Sequence, residues 1–168
     1  VRAERLLRNM HLPIPPGDQR RMDLVAAPGS RSVGARRGVP LFVDVTVVSV
    51  HQCNGAARLG AAANNGAIIG RAVATKRRTY ADVHSSAATC LLVLGCEVYG
   101  RWSEDACKVM RELAALKARQ APPLLRGCAQ YAWSSRWWSI VGVGTQRAIA
   151  EALIRELDPD LLSSADTT

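Results

Sequence analysis

No run of apolar residues in this 168-residue chain reaches the ~18 that a membrane-spanning helix requires, so no transmembrane segment is expected. No signal peptide is visible either. The five cysteines (Cys53, Cys90, Cys96, Cys107 and Cys128) are odd in number and include no CxxC pair. That pattern argues against a disulfide framework and predicts reduced thiols in an intracellular protein, nuclear or cytoplasmic. His51 and Cys53 form an isolated HxC, two ligands where structural zinc takes four. His11, His51 and His84 make no ligand pattern, no Ser/His/Asp or Cys/His triad stands out, and no internal repeat is evident. The chain opens with Val rather than Met and is expected to be a piece of a longer polypeptide.

What is present looks globular: 48% apolar and 21% charged residues, enough for one domain with a real core and an appendage. The net charge of +8 is uneven. From residue 151 onward, Glu151, Glu156, Asp158, Asp160 and Asp166 face Arg155 alone, a net −4, so the first 150 residues carry +12. A basic body of this kind fits a polyanion, most simply nucleic acid.

Along the chain, RAERLLRNM (residues 2–10) predicts a short helix stopped by the proline-rich HLPIPPG. RRMDLVAA (20–27) and LFVDVTVVS (41–49) read as two strands joined by a long polar loop, and they suggest an antiparallel pair. A helix is expected from Gly66 to Tyr80, its apolar stripe formed by Ile68, Ile69, Ala72, Val73 and Thr75 and its basic end by KRR. TCLLVLGCEV (89–98) predicts a central strand. Ser103 is a good N-cap for a helix over 104–119. Pro122 and Pro123 open another helix through Trp133 and Trp138, and a last one covers 145–157. Aromatic residues at this spacing predict a core or interface face, with a base-stacking platform as the alternative. The expected architecture is an α/β sandwich with a helical extension.

The strand LFVDVTVVS poses a problem. Its near-continuous apolar run suggests burial on both faces, yet Asp44 sits in the middle. A carboxylate there costs several kcal/mol unless it is paired, hydrogen-bonded or bound to metal. One solution is a hydrogen bond to a loop or to an arginine such as Arg20 or Arg21. The other is a metal site. Asp23 stands near the start of the preceding strand, and antiparallel pairing would let both carboxylates converge at one end of the sheet. One or two carboxylates, completed by water and a substrate phosphate, suffice for Mg²⁺. Lys76, on the following helix, would then stabilise charge on the phosphate or orient the attacking water. Glu97 is a third acid at a strand end.

The series RRMDL, LFVDVTVVS, an Ala-rich helix ending KRRTY, and a strand ending CEVYGRW resembles the restriction-like endonuclease domain of non-LTR retrotransposon reverse transcriptases. That family is similar to the PD-(D/E)XK nucleases. The resemblance covers roughly residues 18–115 and implies an αβββαβ core with a helical C-terminal extension. It puts Asp23 in the place of the R/K-P-D aspartate and Asp44 in that of the second acid. Lys76 matches the lysine displaced to the helix, Tyr80 the tyrosine that follows it, and Glu97 with Gly100 and Arg101 an E-x-G-G-R-like element. Met22 replaces the usual proline, Thr46 stands where a D-x-K lysine would be, and Val73 stands where Glu is frequent. The zinc-knuckle cysteines expected upstream are absent from this chain.

The resemblance implies a Mg²⁺- or Mn²⁺-dependent endonuclease that nicks target DNA to prime reverse transcription. Its catalytic residues would be Asp23, Asp44, Lys76 and Glu97, with Asp23 and Asp44 holding the metal. Arg36, Arg37, Arg77, Arg78 and Arg101 are candidate nucleic-acid contacts. DNA is the expected partner, with RNA and an upstream reverse transcriptase domain of the same polyprotein as further ones, and no membrane. The expected domains are a core over 1–102, a helical extension over 103–158 and a flexible tail over 159–168. Two other functions stay open: a catalytically inactive nucleic-acid-binding remnant, and a helical protein-interaction domain.

Overall fold

The computed structural model describes residues 2–7, 17–27 and 38–157, and the side chains of all of these except residues 2–6 and 157. The chain is a mixed α/β protein. Its strands are β1 (Arg2–Leu6), β2 (Arg21–Ala26), β3 (Leu41–Val48) and β4 (Cys90–Glu97). Its helices are α1 (Ala67–Thr79), α2 (Ala81–Ser85), α3 (Glu104–Ala118) and α4 (Arg126–Leu157), the last entered through a 3₁₀ turn at Pro123–Leu125. The strands form one sheet in the order β1-β2-β3-β4. β1–β2 and β2–β3 are antiparallel, and β3–β4 is parallel, the crossover carrying α1 and α2.

Two expectations fail at the ends. Residues 2–6 form strand β1 instead of opening a helix, pairing with β2 from Arg2↔Val25 to Leu6↔Arg21. Helix propensity in so short a segment is worth tenths of a kcal/mol per residue, and a full ladder on the open side of β2 outweighs it. At the other end, the two expected helices are one, α4, running 32 residues through Gly142 and Gly144. Each glycine costs about 1 kcal/mol in a helix interior, too little to break it. Trp133 and Trp137 pack on one another with ring centroids 5.5 Å apart. The Lys117 ammonium lies 5.2 Å from the Trp133 ring centroid. Two compact units divide inside α3, between Leu113 and Ala114.

In the first unit a cluster of Leu7, Met22, Phe42, Tyr80 and Val83 joins β2 and β3 to the corner between α1 and α2. β3 is buried at Phe42, Val43 and Asp44, but Val45 and Val47 are exposed. The strand is therefore covered on both faces only over its first half. Ser103 caps α3 as expected, its hydroxyl accepting from Ala106 N–H and also from Gly95 N–H at 3.0 Å.

Gly95 sets the distance between α1 and the sheet. A Cβ there would fall 2.8 Å from Ile69 Cγ1 and 3.1 Å from Val73 Cγ2. Only a strand residue without a side chain lets α1 lie this close on β4. One turn beyond Val73 comes Lys76, so the close approach also decides what Lys76 can reach. Replacing Gly95 with Val should destabilise the protein by about 1–3 kcal/mol, the usual cost of overpacking. Urea unfolding measures this, and an unchanged midpoint would mean that the contact is slack.

Candidate functional site

The site lies where β2 leaves β3. The two strands pair only from Ala26↔Leu41 to Leu24↔Val43, whereas β4 pairs with all eight residues of β3. Asp23 and Asp44 are the next residues beyond the last rung, one on each side of the fork. Val45 N–H would otherwise lose its ladder partner there, and it donates to Asp23 Oδ2 at 2.6 Å. Asp23 thus continues the ladder with a charge-assisted bond.

Asp44 is 2% exposed. Lys76 reaches it from α1, with Nζ donating to Oδ1 at 3.2 Å and lying 3.1 Å from Oδ2. Tyr80, one turn further on, has its hydroxyl 2.8 Å from Arg21 O and 3.2 Å from Asp44 Oδ1, so one proton serves two acceptors. Oδ2 is sealed from solvent and receives no hydrogen bond, although the ammonium stands within ion-pair distance. The ammonium stands as near to Oδ2 as to Oδ1, so its charge serves both oxygens, while its hydrogen-bond geometry is good only toward Oδ1. A buried carboxylate oxygen without a donor is costly, and it has capacity for another ligand.

Arg20 and Arg21, named as one of two ways to neutralise Asp44, make no side-chain bond to it among the described residues. The Arg20 guanidinium bonds Asp82 at 2.6 and 2.8 Å and Thr79 O at 2.6 Å, and it pairs with Asp18 at 2.6 Å. It holds the carboxyls of Asp18 and Asp82 below the usual range through those hydrogen bonds. The same group lies 5.6 Å from the centroid of the Tyr80 ring, so it braces the corner from which Tyr80 points at Asp44. Arg21 contributes its backbone carbonyl.

The other expected site residues lie elsewhere. Glu97 is not brought to Asp44. Asp44 is in register with Val93, and Glu97 is four residues further along β4, roughly 13 Å at the usual rise per residue. There it is buried, its Oε2 3.5 Å from Arg101 Nε, which gives both residues a structural pairing away from the fork. Arg77 pairs with Asp105 at 2.5 Å. Among the described residues, Arg78 is exposed and bonds only within its own helix, to Ala74 O and Thr75 Oγ1. Arg36 and Arg37 lie outside the described residues.

Arg58 and Arg71 are the residues that sequence reading missed. They line a cleft of about 870 Å³ between the segment after β3 and the outer side of α1. Arg58 Nε donates to His51 O at 3.3 Å, and an Arg71 Nη2 N–H donates to Leu59 O. Neither has an acidic partner among the described residues. No motif marks them: isolated arginines in an Ala/Gly-rich stretch look like solvated charges until a loop folds them toward one another.

As for metal, no cluster of three or more His, Cys, Asp or Glu occurs among the described residues. The pair at the fork meets a smaller demand. Asp44 Oδ2 has no hydrogen-bond donor, and Asp23 commits only Oδ2 to Val45 in the bonds described. Two carboxylates of this kind fit Mg²⁺, which keeps several waters, and do not fit a cation that needs an all-protein cage. Among the described residues, no helix is long and apolar enough to cross a membrane.

Burial first, then the charge and hydrogen bond of Asp44 and the charge of Asp23, push the Tyr80 phenol up to about 12 from an ordinary value of 10.0, against the opposing Arg20. The folded state therefore holds this proton more tightly than the unfolded chain, and the associated stability is present below pH 10 and lost as pH rises toward 12. Absorbance titration at the tyrosinate band should show a late step near pH 12 that Tyr80→Phe removes. The variant should also lose less stability than the wild type over the same interval. Loss of a step near pH 10 in the variant, in place of the late one, would mean that the phenol is neither buried nor beside the carboxylates as described. No family model matches the chain, and no curated protein or solved structure matches it.

Proposed function

We propose that the chain is a metal-dependent DNA endonuclease domain of the restriction-like type associated with retrotransposon reverse transcriptases. The observation that carries the reading is Asp44: a buried carboxylate with an oxygen that lacks a donor, flanked by Asp23, Lys76 and Tyr80. A purely structural ion pair would more economically satisfy both oxygens. The order of strands and helix from β2 to β4 agrees with the strand–strand–helix–strand part of an αβββαβ core, with β1 as a further strand where that core has its first helix or strand.

In this reading Asp23 and Asp44 hold Mg²⁺ or Mn²⁺, which when bound supplies positive charge to the scissile phosphate and a more acidic water. Lys76 lies on the carboxylate and is about one-third exposed, so its ammonium faces the position a phosphate oxygen would take and can stabilise charge developing there. Tyr80 keeps the carboxylate oriented through Oδ1, and Oδ2, which Lys76 faces at 3.1 Å, would take the ion. Glu97 has no part in this step. DNA is the substrate, RNA a further ligand of the same basic surface, and an upstream polymerase domain the partner that uses the nicked strand. The C-terminal unit has a second reading of its own: Ile140, Val143 and Leu153 on α4 are each more than half exposed, which favours protein contact.

A supercoiled-plasmid assay in Mg²⁺ tests the reading. The wild type should nick, Asp44→Asn should fall to background, and Lys76→Met should lose roughly 100-fold or more, as when a transition-state donor is removed. Salt-sensitive DNA binding without nicking in the wild type would support the inactive remnant instead. Full activity in Asp44→Asn would end the nuclease assignment.

A further inference from the structure

The cleft beside the fork has a composition that the Asp23–Asp44 site does not explain. Its walls are the end of β3, the segment from Gln52 to Leu59, and the α1 face carrying Ile68, Arg71 and Thr75. β2 pairs with β3 only as far as Val43, so among the described residues the rest of β3 has no β2 partner. Val45 and Val47 are correspondingly exposed. The cleft opens along this uncovered part of the strand. Two guanidinium groups line it, no carboxylate does, and Gln52 and Asn54 add neutral polar groups.

We infer that this cleft is a phosphodiester-backbone groove in which Arg58 and Arg71 hold phosphates of the strand presented to Asp44 and Lys76. The inference deepens the nuclease reading and rests on it for the identity of the ligand. Three points carry it. Both arginines spend hydrogen bonds on backbone carbonyls, His51 O and Leu59 O, which fixes their guanidinium groups without neutralising them. A guanidinium whose acceptors are neutral keeps its full charge and further N–H groups for a planar anion. By contrast, Arg20, Arg77 and Arg101 in the same unit are each paired with an acid. Finally, Thr75, the neighbour of Lys76 on α1, lines the same cleft as Arg71, so the groove reaches the helix turn that carries Lys76.

The groove makes Arg58 and Arg71 binding residues that act on affinity by charge, in a manner distinct from pinning a loop. The test is the salt dependence of binding to a short single strand and to a duplex of the same sequence. Wild type is compared with Arg58→Gln/Arg71→Gln and Arg58→Lys/Arg71→Lys, with folding checked by circular dichroism. The Gln pair should lower the slope of log affinity against log salt by about 0.9 per arginine on duplex, or about 0.7 on single strand. The Lys pair should restore it, which a loop-pinning role would not allow. An unchanged slope in the Gln pair on both ligands overturns the groove. If the Gln variants do not fold, arginine modification by phenylglyoxal on the wild-type chain decides: protection of Arg58 and Arg71 by DNA supports the groove, and equal modification with and without DNA overturns it. These outcomes separate from those of nicking. A chain that binds through these arginines and never nicks loses the nuclease reading and keeps the groove. One that nicks through Asp44 with an unchanged slope does the reverse.

Discussion

The contact on which the first unit depends is that of the Lys76 ammonium with the Asp44 carboxylate. Asp44 is carried into the interior by its strand: Phe42 and Val43 precede it in the core, and Val93 of β4 lies beside it in register. A charge in that position requires a counter-charge. Lys76 can supply it only because α1 lies close on β4, and α1 lies close because position 95 has no side chain. Sequence, packing and electrostatics are thus linked in one direction: a glycine in one strand permits the neutralisation of an aspartate in its neighbour. Tyr80 and Arg20 complete the arrangement from the corner after α1, the first by a hydrogen bond to the carboxylate, the second by holding the corner to Asp18 and Asp82.

The fork between β2 and β3 turns this arrangement from a core into a site. Where two strands stay paired, carboxylates at their ends face backbone partners or solvent. Where they separate, Asp23 takes over one ladder bond and Asp44 keeps an oxygen without a donor. The strand edge left open by the departure of β2 continues into the cleft that holds Arg58 and Arg71. A pair of carboxylates and an unneutralised basic cleft side by side is an arrangement suited to a phosphodiester, whose charge must be held while one of its bonds is attacked.

Much of this was legible in the sequence, and the limits have physical causes. The apolar run around Asp44 indicated β3, the apolar stripe from Ile68 to Thr75 indicated α1, and the Ser103 cap indicated α3, because these are local signals. Lys76 and Tyr80 meet Asp44 from the helix that the sequence indicates, and Asp23 stands across from Asp44 just beyond the last β2–β3 rung. Glu97 could not be placed in the same way. A residue's strand can be read from its neighbours, but its position along that strand relative to Asp44 depends on the register with β4, which no local pattern encodes. The first strand was misread because its pairing partner, and not its own propensity, decides its state. Arg58 and Arg71 escaped notice because the segment that brings them together has no periodicity.

The central claim is that Asp44 is held as a carboxylate with one oxygen reserved for a cation. Calorimetric titration of the chain with Mn²⁺ or Mg²⁺ in the absence of nucleic acid tests it most directly, with Asp44→Asn as the comparison. The account predicts a saturable site in the wild type that the Asn variant, folded to the same extent, no longer has. Equal binding by the two proteins would contradict it, as would a wild type that binds neither ion.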